Sequence, residues 1–241
     1  MSKKAGRTAL GATALVATCC LSLIGIKKSK TNKEYRAYEN QYSDILKDSF
    51  KTDKVSYKKL MEAIKLYNNS EFDEAIDKLE KLRNRCVYHN EHSAVLMFTA
   101  LCYTDLKQYN SAINCYEELL RFDAENSRAW SNLGFCYNAV SRTDKAGEAY
   151  RNALEYDKQN PYAYNNMAIW CLNSGFPEEA VEHALKALSL NNRLFQAMGA
   201  AALGYAYMGY IGKAKQYLKM YGENGGNMNE LSERIQVVLN V

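Results

Sequence analysis

Cys86, His89 and His92 lie within seven residues of one another, and their types and spacing are the ones in this 241-residue chain that could hold a metal ion. Thiolate and imidazole are both zinc ligands, but three potential ligands without a fourth make a poor structural site. The three are therefore expected in a solvated loop, with no metal bound. The remaining histidine, His183, has no Ser, Cys or carboxylate partnership legible in the sequence. No glycine-rich phosphate loop, no H-E-x-x-H and no C-x-x-C occurs. The expectation is a protein that is not an enzyme, with no catalytic residues, no cofactor and no small-molecule substrate. Cys86, Cys102, Cys115, Cys136 and Cys171 are odd in number and scattered, unlike a secreted disulfide framework, and are expected to be small buried side chains.

The elements that must position any functional side chain repeat along the chain. Over residues 127–160, Trp130, Leu133, Gly134 and Tyr137 fall at W-x2-L-G-x2-Y spacing, and Ala146, Tyr150 and Ala153 follow. The first group shares one face of a helix and the second shares one face of another. Gly134 and Ala146 are small enough to let the two helices approach closely. A step of 34 residues forward sets Tyr164, Met167, Ala168, Cys171, Ala180, Ala184 and Ala187 in the same columns, with Pro161 opening that unit. The next step reaches Met198, Ala201, Ala202, Tyr205, Ala214, Leu218 and Tyr221. One step back gives Leu96, Thr99, Ala100, Tyr103, Ala112, Tyr116 and Leu119. A fifth unit fits Ala63, Leu66, Phe72, Ala75, Leu79 and Leu82 if Asn90 to His92 are inserted after it.

This pattern resembles the tetratricopeptide repeat (TPR). The resemblance implies an all-α, right-handed α-solenoid of five helix-turn-helix units, at 56–92, 93–126, 127–160, 161–194 and 195–228. One unit cannot bury its own apolar face, so stability comes from stacking neighbours. Trp130 is expected to be buried between helices. After Asn224-Gly225-Gly226-Asn227, a last helix over about 229–240, within a capping segment 229–241, should present Leu231, Ile235, Val238 and Leu239 to the end of the stack. Tyr221 stands in a column otherwise held by Leu82, Leu119, Ala153 and Ala187, which puts strain on close packing there.

In such proteins the first helices of successive units line a groove. Carried onto this chain, Asn132 and Asn166 occupy equivalent columns of that groove, joined by Asn138, Asn165 and Asn173, and both Asn132 and Asn166 are expected to face solvent. An asparagine amide both donates and accepts, so a row of them can bond the backbone of an extended peptide. Beside them Leu101, Phe135, Ile169 and Leu203 recur once per unit and could contact alternate peptide side chains; the alternative is that these four are partly core. Chaperone-binding members clamp a carboxylate with Lys, Asn and Arg. The corresponding places here hold Leu60, Phe98, Asn132, Arg128, Asn166, Gln196 and Ala200, so that role is not expected.

The N-terminal part has a different character. Residues 8–26 are a 19-residue uncharged stretch between Lys3, Lys4, Arg7 and Lys27, Lys28, Lys30. As a helix it would span about 30 Å, enough to cross a bilayer once. Residues 1–30 are therefore expected to be a single-pass transmembrane anchor; a cleaved signal and a lipid-modified Cys19 or Cys20 are the alternatives. Residues 31–55 carry Tyr35, Tyr38, Tyr42, Ile45 and Leu46 at three- and four-residue spacing, which predicts an amphipathic helix packing on the first repeat or resting at the membrane. Residues 1–55 hold 11 Lys+Arg against 5 Asp+Glu, leaving 20 against 22 for residues 56–241. The repeats supply no basic excess, so nucleic acid is not an expected partner. The slightly richer basic flank after residue 26 and the unpaired cysteines place the repeats on the cytoplasmic side, with an extracytoplasmic or cell-surface placement as the alternative. The function expected is a membrane-tethered scaffold or adaptor that binds a protein or peptide partner. The alternatives are a receptor for incoming proteins on an organelle surface and an accessory subunit of an enzyme complex.

Overall fold

The computed structural model describes residue 50, residues 53–86 and residues 89–239. The stretch 8–26, its basic flanks and the tyrosines of 31–49 lie outside them. Among the described residues there are helices and no strand, and none of those helices is long and apolar enough to cross a membrane. In chain order they are α1 (Lys54–Asn68), α2 (Phe72–Arg83), α3 (His89–Asp105), α4 (Tyr109–Phe122), α5 (Ser127–Ala139), α6 (Thr143–Tyr156), α7 (Pro161–Ser174), α8 (Pro177–Leu190), α9 (Phe195–Tyr207), α10 (Ile211–Glu223) and α11 (Met228–Leu239). The chain divides into two compact units, with the division between residues 140 and 141. Helices α1 to α5 belong to the first unit and α6 to α11 to the second.

Local chemistry explains where several helices begin. Asp53 accepts from the Val55 and Ser56 amides, both at 3.0 Å, and so caps α1. The Ser56 hydroxyl and these amides hold the Asp53 carboxyl below its ordinary range. Asn126 caps α5 through the Ala129 amide at 3.0 Å, and Asn160 caps α7 through Tyr162 and Ala163 at 3.0 and 3.1 Å. Pro161 and Pro177 open α7 and α8, where a missing N–H costs nothing.

The turns that follow α1, α3, α5, α7 and α9 share one conformation. Ser70, Lys107, Ser141, Gly175 and Gly209 have φ of 66, 61, 61, 84 and 77°, a left-handed geometry that only glycine adopts without penalty. In four of these turns the next residue donates to the carbonyl five positions back: Glu71 to Leu66 at 3.0 Å, Gln108 to Tyr103 at 2.8 Å, Phe176 to Cys171 and Tyr210 to Tyr205 at 2.9 Å. These bonds satisfy helix-end carbonyls. The left-handed residues recur at intervals of 34 from Lys107 onward and 37 between Ser70 and Lys107.

Those three extra residues correct one expectation. Asn90 to His92 are helical rather than a solvated loop, and Glu91 is buried. Helix α3 runs 17 residues where α5, α7 and α9 run 13, 14 and 13. Adding a residue to an existing helix gains a backbone hydrogen bond, whereas a loop would leave the same groups to water.

Small residues set the packing distance. Ala75, Ala112, Ala146, Ala180 and Ala214 are all fully buried, and so are Ala63, Ala100, Ala168 and Ala202 in the matching column of the preceding helices. In the first unit, Leu60, Ile64, Leu79, Leu82, Val95 and Phe98 form one core cluster, which also holds Phe50. In the second, Met198, Leu203, Tyr205 and Tyr221 join Leu231 and Ile235 of α11. Helix α11 packs on α9 and α10.

Two large rings depend on glycines. A Cβ added to Gly147 would lie 2.5 Å from the Trp170 ring, and one on Gly226 would lie 2.3 Å from the Tyr221 ring. The bulk of Tyr221 in a column of smaller residues is thus absorbed by Gly226 and by Gly199, where an added Cβ would approach the same ring at 3.2 Å. Trp130 departs from expectation: it is half-buried, and its indole N–H donates to the Ala124 carbonyl at 2.7 Å in the turn before α5. The polar edge of the ring is held at the surface by that bond.

Two stability outcomes are expected. Gly226→Ala should cost about 1–3 kcal/mol by overpacking against the buried Tyr221, read by urea unfolding of the full chain. Lys107→Gly should stabilise by about 1 kcal/mol by removing the left-handed penalty; an unchanged or lower midpoint would contradict this account of the turns.

Candidate functional site

The residues of the metal reading do not converge on an ion. The Cys86 thiol donates to the Leu82 carbonyl at 3.5 Å, and burial and then the nearby Glu91 push it up to about 11. His89 and His92 both pack on Phe122, with ring centroids at 5.1 and 5.2 Å. Among the described residues no group of three His, Cys, Asp or Glu side chains is arranged to hold a metal.

His92 instead borders an ion-pair network that the sequence did not reveal. Arg83 Nη2 lies 2.7 and 2.6 Å from the two Glu118 oxygens. Arg83 also lies 3.6 Å from Glu80, and His92 Nε2 lies 3.7 Å from Glu118. The network joins α2, α3 and α4. No spacing rule marks it, because Arg83 and Glu118 are 35 residues apart and meet only when the helices stack.

Three further thiols are equally unsuited to nucleophilic chemistry. Burial pushes Cys115 up to about 11, and Cys136 and Cys171 up to about 12. At neutral pH these side chains stay protonated, and the thiolate is the reactive form.

The asparagines divide by role. Asn126 and Asn160 are helix caps. The candidate groove residues fall in two sets, one per unit. In the first unit Asn132 and Asn138 on α5 are half-buried, as are Leu101 on α3 and Phe135 on α5. Phe135 meets the Tyr109 ring edge-on at 6.0 Å, so its orientation is fixed by packing. Beside them the Tyr137 hydroxyl donates to the Glu117 carboxylate. In the second unit Asn166 and Asn173 on α7 are half-buried, and with Tyr162 and Ile169 they follow the four-, three- and four-residue steps of one helix face. Ile169 and Leu203 are buried at 4% and 1% exposure and belong to the core cluster. For these two the burial matches the alternative that the column is partly core. Asn165 is also buried, at 4% exposure, and its Oδ1 has no hydrogen-bond partner. Leaving such an oxygen unpaired costs about 1–3 kcal/mol.

His183 on α8 packs on Tyr164, with centroids 6.1 Å apart. Burial holds its pKa below the ordinary 6.5, partly offset by Glu182 and Glu179. The folded protein therefore favours neutral His183, and the unfolded chain binds more protons below pH 6.5. Stability from this group is complete above that value and is lost as pH falls through the folded pKa. His183→Gln should flatten the decline of Tm between about pH 7 and 5; an unchanged slope would show that His183 contributes nothing to it.

Comparison with known proteins agrees with this geometry. Residues 101–140 match the family described as TPR repeat, and residues 127–160 match the tetratricopeptide repeat. No curated protein matches the chain. Among solved structures it is similar to MamA, at 21% identity and TM-score 0.59 over 67% of this chain and 93% of that one. It is similar to pilF of Pseudomonas aeruginosa at 19% identity and TM-score 0.65, over 78% of this chain and 86% of that one. YrrB, a TPR protein with an unusual peptide-binding site, aligns at 18% identity and TM-score 0.54, over 75% and 92%. At these identities the likeness is one of fold. The repeat matches identify tetratricopeptide repeats within residues 101–160, and the recurring turns and buried alanine columns extend the same helical repeat architecture along the described residues.

Proposed function

We propose that the protein is a membrane-tethered scaffold whose repeats hold an extended segment of a partner protein. The observation that carries this reading is the pair of equivalent asparagines, Asn132 on α5 and Asn166 on α7, each half-buried in the middle of its helix and so able to reach solvent. A carboxamide that is not capping a helix can meet a peptide backbone with both its donor and its acceptor. The protonated, buried thiols favour binding over catalysis. YrrB, similar in fold, is a TPR protein with a peptide-binding site, which gives the reading a precedent.

The tether is residues 8–26, and the repeats face the cytoplasm. Support comes from the length and charge-free character of that stretch and from its basic flanks. Protease added to intact cells should leave the repeat region whole; digestion before lysis would reverse the orientation without touching the fold.

Binding is tested by Asn132→Ala and Asn166→Ala. Each should weaken capture of the partner by about 0.5–1.5 kcal/mol per lost hydrogen bond, and the paired substitution by several-fold or more. The melting temperature should stay nearly constant. A double variant that melts early yet captures normally would place both carboxamides in structural contacts and remove the main support for a binding role.

A further inference from the structure

The turn between α9 and α10 repeats a backbone that the chain builds elsewhere mostly from polar residues. Gly209 is left-handed like its counterparts, and Tyr210 donates to the Tyr205 carbonyl at 2.9 Å. At the position of Tyr207 the earlier turns hold Asn68, Asp105, Ala139 and Asn173. At that of Tyr210 they hold Glu71, Gln108, Arg142 and Phe176. The backbone therefore does not require a ring at either place. Yet Tyr207 and Tyr210 are 53% and 57% exposed, and Ile211 beside them is 48% exposed. The turn thus holds large apolar surface in water that its own geometry does not call for.

A second, independent observation is the charge of the helix that this turn opens. Helices α2, α4, α6 and α8 each carry more Asp and Glu than Lys and Arg. Helix α10 reverses the balance, with Lys213, Lys215 and Lys219 against Glu223. All three lysines are exposed. The Lys213 ammonium lies 4.9 Å from the Tyr205 ring centre and 5.8 Å from that of Tyr210, and the two rings meet edge-on at 6.3 Å. Charge and ring are thereby held together at the turn. Lys215 follows Ile211 by one turn of helix, about 6 Å along the axis. Glu178 and Glu179 open α8, so the basic character belongs to α10 and its turn and not to the preceding helix pair.

We infer that the α9–α10 turn dips Tyr207, Tyr210 and Ile211 into the surface of an anionic bilayer, with Lys213, Lys215 and Lys219 at its phosphates. This rests on the membrane reading above but uses none of its residues, since the tether only brings the turn to the surface it binds. A bilayer sets an apolar layer directly beneath an anionic one, and the turn sets an apolar tip directly beside a basic helix. Tyrosine suits that boundary because its ring enters the apolar layer while its hydroxyl stays hydrated. The lysine stems lie along the same layer and carry their ammoniums to the headgroups. The contact is interfacial, and it adds a second, reversible attachment to that of residues 8–26.

The test reconstitutes the full chain into vesicles whose lipids carry a photoactivatable diazirine in the upper acyl chain. One set is phosphatidylcholine alone and the other contains about 30 mol % phosphatidylglycerol. After irradiation, mass spectrometry locates the lipid adducts. The expected result is adducts at Tyr207 to Ile211 within the tryptic peptide 194–213. They should be about threefold or more abundant with phosphatidylglycerol, and should fall as NaCl rises from about 50 to about 500 mM. Lys215→Glu with Lys219→Glu should bring them down to the phosphatidylcholine level. Tyr207→Ser with Ile211→Ser should lower them about threefold or more, and neither pair, being exposed, should shift the melting temperature. Adducts confined to residues 8–26 would overturn this inference and leave the tether standing, whereas adducts on the turn without any on 8–26 would support it and overturn the tether. Labelling of the turn that ignores phosphatidylglycerol and the lysine variants would overturn the anionic surface as its partner. Crosslinks from the turn to a second copy of the chain, in place of lipid, would overturn the inference in favour of self-association. No adduct anywhere would overturn the turn contact and the tether together.

Discussion

Close approach between successive helices is the constraint on which the rest of the structure depends. Ala75, Ala112, Ala146, Ala180 and Ala214 are buried without residual exposure. A larger side chain in any of these positions would have to move a neighbouring helix, and in a stacked array that displacement would pass to the next contact. The left-handed turns belong to the same constraint. They reverse the chain in a few residues, and the cost at Ser70 and Lys107 is offset by hydrogen bonds to helix-end carbonyls.

The unit at the C-terminal end shows how the pattern absorbs an exception. Tyr221 occupies a column where its counterparts are Leu82, Leu119, Ala153 and Ala187. It remains buried because Gly199 and Gly226 leave room for the ring and Phe195 packs on it at 5.7 Å. Helix α11 then brings Leu231 and Ile235 into the same core. A bulky substitution is thereby converted into part of the end closure.

The chain uses asparagine in more than one structural setting. At Asn126 and Asn160 the carboxamide oxygen satisfies backbone donors at a helix start; at Asn132 and Asn166 the side chain lies mid-helix, where it adds nothing to helix propensity. The absence of charge from α9 follows from its burial, since every residue from Ala197 to Ala206 is enclosed by neighbouring helices.

The sequence by itself determined the helical class and the columns of the repeat, because a 34-residue recurrence of small and large apolar residues has one economical explanation, the stacking of helix pairs. It also determined the turn after α10, through adjacent glycines at Gly225 and Gly226. Tertiary structure decided what spacing could not. The insertion at Asn90–His92 became helix, since elongation depends on neighbouring turns rather than on composition. Ile169 and Leu203 share a column with Leu101 and Phe135, yet the first two are buried and the last two half-buried. Equal position in a repeat fixes direction along a helix but not what packs above it. The Arg83–Glu118 pair and the sealed Asn165 oxygen arise from contacts between residues distant in the chain or from enclosure by neighbouring helices. No local pattern encodes either, because burial is a property of the assembled fold and not of the segment that contributes the side chain.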